Sequence, residues 1–109
     1  MIEINSTRAL DDVWKAPTLV IFKHSNQCGL SVLAIQEVEK LERLHPEIQV
    51  HLVSVIESRS VSLEVERRTG VRHESPQVLI LGNGAVLWHA SHRRVTATAI
   101  DEQLQGVLG

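Results

Sequence analysis

The sequence predicts an α/β domain: one mixed, four-stranded sheet flanked by helices, with an extra helix at the N-terminus. Three observations predict it. The uninterrupted run Thr18-Leu19-Val20-Ile21-Phe22 suits a central strand covered on both faces. A long stretch from Cys28 to His45 follows, with Leu30, Ala34, Val38 and Leu41 at spacings of three or four, the pattern of a helix with one buried stripe. Later, Val78-Leu79-Ile80-Leu81, the turn-forming Gly82-Asn83-Gly84 and the tract Ala85 to Ala90 read as strand, turn and strand, a hairpin.

The remaining elements fall around these three. Ser6 or Thr7 can cap a short helix that carries Ala9, Leu10, Val13 and Trp14 on one side. Pro17 ends it, because the residue before a proline is pushed out of the helical region. After Pro46 closes the long helix, Val50-His51-Leu52-Val53-Ser54-Val55 forms the second strand. A helix then spans Ser60 to Thr69, with Val61, Leu63 or Glu64, Val65 and Arg68 along it and Gly70 as its stop. Thr96 opens the last helix, where Ile100, Leu104 and Leu108 recur at spacing four. The order is helix, then β-α-β-α-β-β-α. The first crossover makes its two strands parallel, and the hairpin adds an antiparallel edge. No linker or repeat interrupts the pattern, so residues 1–109 are expected to form one domain. This order is that of the thioredoxin fold.

Composition narrows the function. The formal net charge is −2, and Arg67-Arg68 and Arg93-Arg94 are isolated basic doublets, so phosphate-rich partners are disfavoured. The only aromatics are Trp14, Phe22 and Trp88, too scattered for a base-stacking platform, and Trp88 is read as core. No apolar run approaches the ~18 residues of a membrane span, and the N-terminus lacks a signal-peptide pattern. A cytoplasmic location is expected. With one cysteine no internal disulfide can close, which agrees with a reducing compartment.

That cysteine, Cys28, falls between a buried strand and the first turn of the longest helix. A helix start leaves backbone N–H groups unpaired and carries partial positive charge, and both favour thiolate, the nucleophilic form. His24, four residues earlier, can add a charge when protonated. Ser31, three residues later, can bring a hydroxyl toward the sulfur. Cys28-Gly29-Leu30-Ser31 is thus a C-x-x-C motif whose second sulfur is replaced by oxygen. Serine cannot resolve a mixed disulfide, so the chemistry implied is monothiol: take over a small thiol, then wait for a second thiol to release it. The bland alternative is an inert cysteine packed as a small hydrophobe.

A second element, Glu74-Ser75-Pro76-Gln77, directly precedes the third strand. Ser75-Pro76 in isolation favours a trans turn. In a thioredoxin-like fold this is where a cis-proline faces the active cysteine, and Ser75 then offers its backbone to substrate as a strand partner would. His89 and His92 have H-x-x-H spacing, but residues three apart on a strand face opposite sides, so no metal site is expected.

Taken together, Phe22-Lys23-His24-Ser25 before Cys28, Ser31 after it, His73-Glu74-Ser75-Pro76-Gln77, and Trp88-His89-Ala90-Ser91-His92 resemble the monothiol bacilliredoxins, the YtxJ-type family of the bacillithiol system. The similarity runs over nearly the whole chain. It implies removal of bacillithiol, or a similar small thiol, from S-thiolated proteins through the cysteine matching Cys28. Bacillithiol is then a co-substrate, no cofactor is bound, and a monomer is expected. Because bacillithiol carries a malate group, Lys23, His24, Arg72 and His73 are candidates to bind its carboxylates, beside Ser75 and Pro76. Where members of the family carry Thr-Cys-Pro-Ile-Ser, this chain has Gln27-Cys28-Gly29-Leu30-Ser31, and glycine loosens the first helical turn. That departure makes the site similar to the Cys-Gly-Phe-Ser motif of monothiol glutaredoxins, which carry a [2Fe–2S] cluster with glutathione. The Gly-Gly and Asp those proteins use for glutathione are not seen, since His89 to Arg94 occupies that region. A cluster carrier and a thioredoxin-fold binding module without turnover stand as the alternatives.

Overall fold

The computed structural model describes residues 1–26 and 29–108, with Leu108 described by its backbone only. The elements are β1 (Ile2–Glu3), α1 (Thr7–Val13), β2 (Leu19–His24), α2 (Gly29–Leu44), β3 (Val50–Ser54), α3 (Arg59–Thr69), β4 (Gln77–Gly82), β5 (Ala85–Ser91), a 3₁₀ turn (His92–Arg94) and α4 (Ala97–Leu108). The sheet has five strands in the order β1-β3-β2-β4-β5, one more than the sequence predicts. The addition is β1, whose Ile2 and Glu3 run parallel to His51 and Leu52. Two strand residues carry no readable period. They pair because Ile4 is buried beside them and its N–H donates to the Leu52 carbonyl (2.8 Å).

The central strand is the apolar run. β2 lies parallel to β3 and antiparallel to β4, and its side chains alternate between two cores. Val20 and Phe22 enter a cluster with Ala34, Val38 and Leu41 of α2 and Ile100 and Leu104 of α4. Leu19 and Ile21 enter the opposite cluster, with Leu10 of α1 and Val61 and Val65 of α3. Helices cover both faces, which is why β2 tolerates no polar residue before Lys23.

Local chemistry fixes the ends. Ser6 caps α1, its Oγ accepting the Ala9 N–H (3.1 Å). Gly70 closes α3 at φ 71°. At the hairpin tip Asn83 (φ 52°) and Gly84 (φ 84°) both have positive φ, the requirement of a two-residue type I′ turn. The buried stripe of α3 differs from the expected one. Leu63 is exposed and Ser62 is buried, because Ser62 meets polar groups beneath the helix. No helix among the described residues is long and apolar enough to cross a membrane.

Candidate functional site

Two segments about fifty residues apart in sequence meet at the C-terminal end of β2. The β2–β4 register pairs Lys23 with Gln77, so Ser75-Pro76, just before β4, stands across from His24-Ser25, the chain leaving β2. The Ser75–Pro76 bond is cis. Pro76 is buried and Ser75 is half-buried. The Pro76 carbonyl accepts the His92 N–H (2.8 Å), which ties this loop to the 3₁₀ turn after β5. Gln77 secures the loop from below. Its buried Nε2 donates to the Arg72 carbonyl (3.0 Å) and to Ser91 Oγ (3.2 Å).

Cys28 and Gln27 lie outside the described residues, and the expected approach of Ser31 to the sulfur lies outside with them. The frame around them is described. Gly29, the next residue in sequence after Cys28, is the first residue of α2. Ser31 is fully buried in that first turn, and its Oγ accepts the Ser25 N–H (3.3 Å). The serine of C-x-x-S thereby fastens the start of α2 to the strand exit. Unpaired N–H groups of a helix start and their partial positive charge favour an anion at the position before them.

The cations expected around the site are placed differently. His24 is half-buried, its ring 5.9 Å from the Phe22 ring, and its Nδ1 has no hydrogen-bond partner among the described residues. Burial pushes its pKa below the ordinary value and disfavours the charged ring. Lys23 is fully buried on the α3 side of the sheet, where Nζ donates to the Ser62 carbonyl (3.0 Å). Desolvation lowers its pKa to about 8, with Glu66 opposing the shift. His73 shares that polar cluster. Its Nδ1 lies 3.0 Å from Ser62 Oγ, and its N–H donates to Glu66 Oε2 (2.6 Å). Burial first, then the charges of Lys23 and Arg59, hold the His73 ring below its usual pKa, against Glu66 and Glu74. Lys23 and His73 are thus engaged under α3, and His24 lies half-buried beside Phe22. Of the four, only Arg72 is exposed.

The turn after β5 holds charges to which the sequence reading gave no ligand role. His92, at φ 57°, places Nδ1 3.6 Å from Glu74 Oε2, and Arg93 and Arg94 are exposed. The basic doublet was the signal of Arg93 and Arg94 in the sequence. His89 is exposed on β5, and no group of three His, Cys, Asp or Glu converges among the described residues.

Comparison with known proteins agrees with this frame. A family model described as monothiol bacilliredoxin BrxC matches residues 2–100. Among solved structures, a protein with a thioredoxin fold superposes with a TM-score of 0.87 at 23% identity, covering 94% of this chain and 92% of that one. Thioredoxin from Trypanosoma brucei brucei gives 0.83 at 14% identity, covering 99% and 90%. A Malassezia sympodialis thioredoxin gives 0.79 at 17% identity, covering 100% and 92%. These likenesses establish the thioredoxin fold.

Proposed function

The chain belongs to the monothiol bacilliredoxin family, with a thiol redox function, and from that premise we propose that it removes bacillithiol from protein mixed disulfides through Cys28. The observation that carries the reading is the frame: the one cysteine of the chain directly precedes α2 in sequence, and cis Ser75–Pro76 stands opposite the end of β2, the strand before it.

The cycle uses two exchanges. The Cys28 thiolate attacks the bacillithiol sulfur of the modified protein. A new S–S bond joins Cys28 to bacillithiol, the old S–S bond breaks, and the protein thiolate leaves and takes a proton. A second bacillithiol, as thiolate, then attacks the bacillithiol sulfur held on Cys28. That step releases bacillithiol disulfide and restores the Cys28 thiolate; a dithiol reductant serves equally. Ser31 offers no second sulfur, so the enzyme cannot release the small thiol by itself. In this cycle the Ser75 backbone pairs with an extended segment of the protein substrate, in the manner of an added strand.

Mass spectrometry of Cys28 after incubation with a bacillithiolated protein tests the proposal. The expected product is Cys28 carrying one bacillithiol, formed faster than the glutathione adduct from a glutathionylated protein and absent in Cys28→Ser. Alkylation of Cys28 is expected to have a midpoint below the ~8.5 of a free cysteine. An unmodified Cys28 together with an ordinary alkylation profile overturns the reading.

A further inference from the structure

A groove of about 270 Å³ opens between the first turns of α2 and the 3₁₀ turn after β5. Leu30 and Leu33 form one wall, Val95 contributes apolar surface opposite, and Glu37, His92 and Arg93 supply the polar rim. It begins at Leu30, two residues after Cys28 in sequence. Its far wall is joined to the substrate loop, since the His92 N–H donates to Pro76.

The charges along the rim are unequal. Glu37 is spent: Oε1 accepts the Ala97 N–H (3.0 Å) and Oε2 pairs with Lys40 Nζ (2.9 Å). His92 faces Glu74 at 3.6 Å. Arg93 is exposed and makes no ion pair or hydrogen bond with any described residue. A guanidinium presents paired N–H donors whose fork matches a carboxylate. The groove therefore offers apolar walls, one unanswered cation and a volume just under the ~300–1,000 Å³ of small-ligand pockets. Arg72, the exposed cation of the other candidate set, does not line it.

Resting on the function proposed above, we propose that this groove seats the non-reacting body of the small thiol, and that Arg93 reads its carboxylate. An anionic thiol of bacillithiol size fits the charge and the volume. The protein part of the mixed disulfide is left to the Ser75-Pro76 side. Arg93 is then a specificity residue and takes no part in bond exchange.

The test compares wild type, Arg93→Ala and Arg93→Lys on one model protein carrying either bacillithiol or an uncharged hydroxyethyl thiol in mixed disulfide. The ratio of kcat/KM for the two substrates is expected to fall at least tenfold in Arg93→Ala, through KM, and to recover in part in Arg93→Lys. A ratio unchanged by either substitution overturns the groove assignment while turnover by wild type upholds the enzyme. If wild type turns over neither substrate, the enzymatic reading fails, and the groove is judged by binding alone. For that, S-methyl bacillithiol is titrated while the methyl resonances of Leu33 and Val95 are followed. Shifts at both, weakened at least tenfold in affinity by Arg93→Ala, support the groove; their absence overturns it.

Discussion

Replacing Lys23 by methionine removes the only charged side chain that is fully buried among the described residues. Its ammonium is held under α3 by one neutral acceptor, the Ser62 carbonyl, with Glu66 contributing at longer range. The depression from 10.5 to about 8 corresponds to at most ~3 kcal/mol of folding free energy at 1.36 kcal/mol per unit. Methionine matches the length of lysine and fills irregular space, while losing the bond to Ser62 costs about 1 kcal/mol. The net expectation is a variant about 2 kcal/mol more stable at pH 7, in line with buried charges replaced by apolar groups of similar volume. The sign of the pH dependence follows from linkage. Between about pH 8 and 10.5 the unfolded chain holds the proton that the native state has released, so wild-type stability rises with pH there. The variant lacks that rise, and the two stabilities are expected to meet near pH ~9.5 on the same arithmetic. Urea unfolding of both proteins at pH 7, 8 and 9.5 measures the difference. A variant less stable at pH 7, or a difference that stays flat across the series, refutes the reasoning.

Two further outcomes follow from positions away from Lys23. His45, just past the end of α2, bonds through Nε2 to Asp101 of α4 and lies 2.8 Å through Nδ1 from Glu47. Asp101 first and then Glu47 raise its pKa, so the stabilisation is full below the unfolded value near 6.5 and is lost as pH rises through the folded one. His45→Gln is therefore expected to cost about 1 kcal/mol more at pH 5.5 than at pH 8.5, and an equal cost at both refutes it. At Gly29 an added Cβ meets nothing within 4 Å, so Gly29→Ala is expected to raise stability by about 0.4–1 kcal/mol. A lowered Tm would contradict that.

Most of the architecture was legible because it rests on patterns that a chain displays locally. The run Leu19 to Phe22, the stripe Ala34, Val38 and Leu41, and the Asn83-Gly84 turn each declare an element without help from the rest of the fold. The meeting of Ser75-Pro76 with the end of β2 was legible only through the fold, since nothing local links the two segments. Other features had no local signal. The strand Ile2–Glu3 is made by the partner it finds in β3. Lys23 reads in sequence as a surface cation beside the site, and only the closure of α3 over the sheet buries it. His73 looks free until the fold brings it against Ser62 and Glu66 of α3. Arg93 was visible as half of a basic doublet, but its value depends on a groove that α2 and the turn after β5 make together. Side-chain engagement is a tertiary property, and sequence spacing carries little of it.

The two tryptophans sit on different sides of the molecule. Trp14 packs on the α1–α3 cluster with the Arg68 guanidinium 5.0 Å from its ring centre, and Trp88 packs on the α2–α4 cluster. Each layer thus contains its own fluorophore. Trp14→Phe and Trp88→Phe give two single-emitter proteins, one reporting on each layer, and coincidence of their melting curves measures how tightly the halves are coupled.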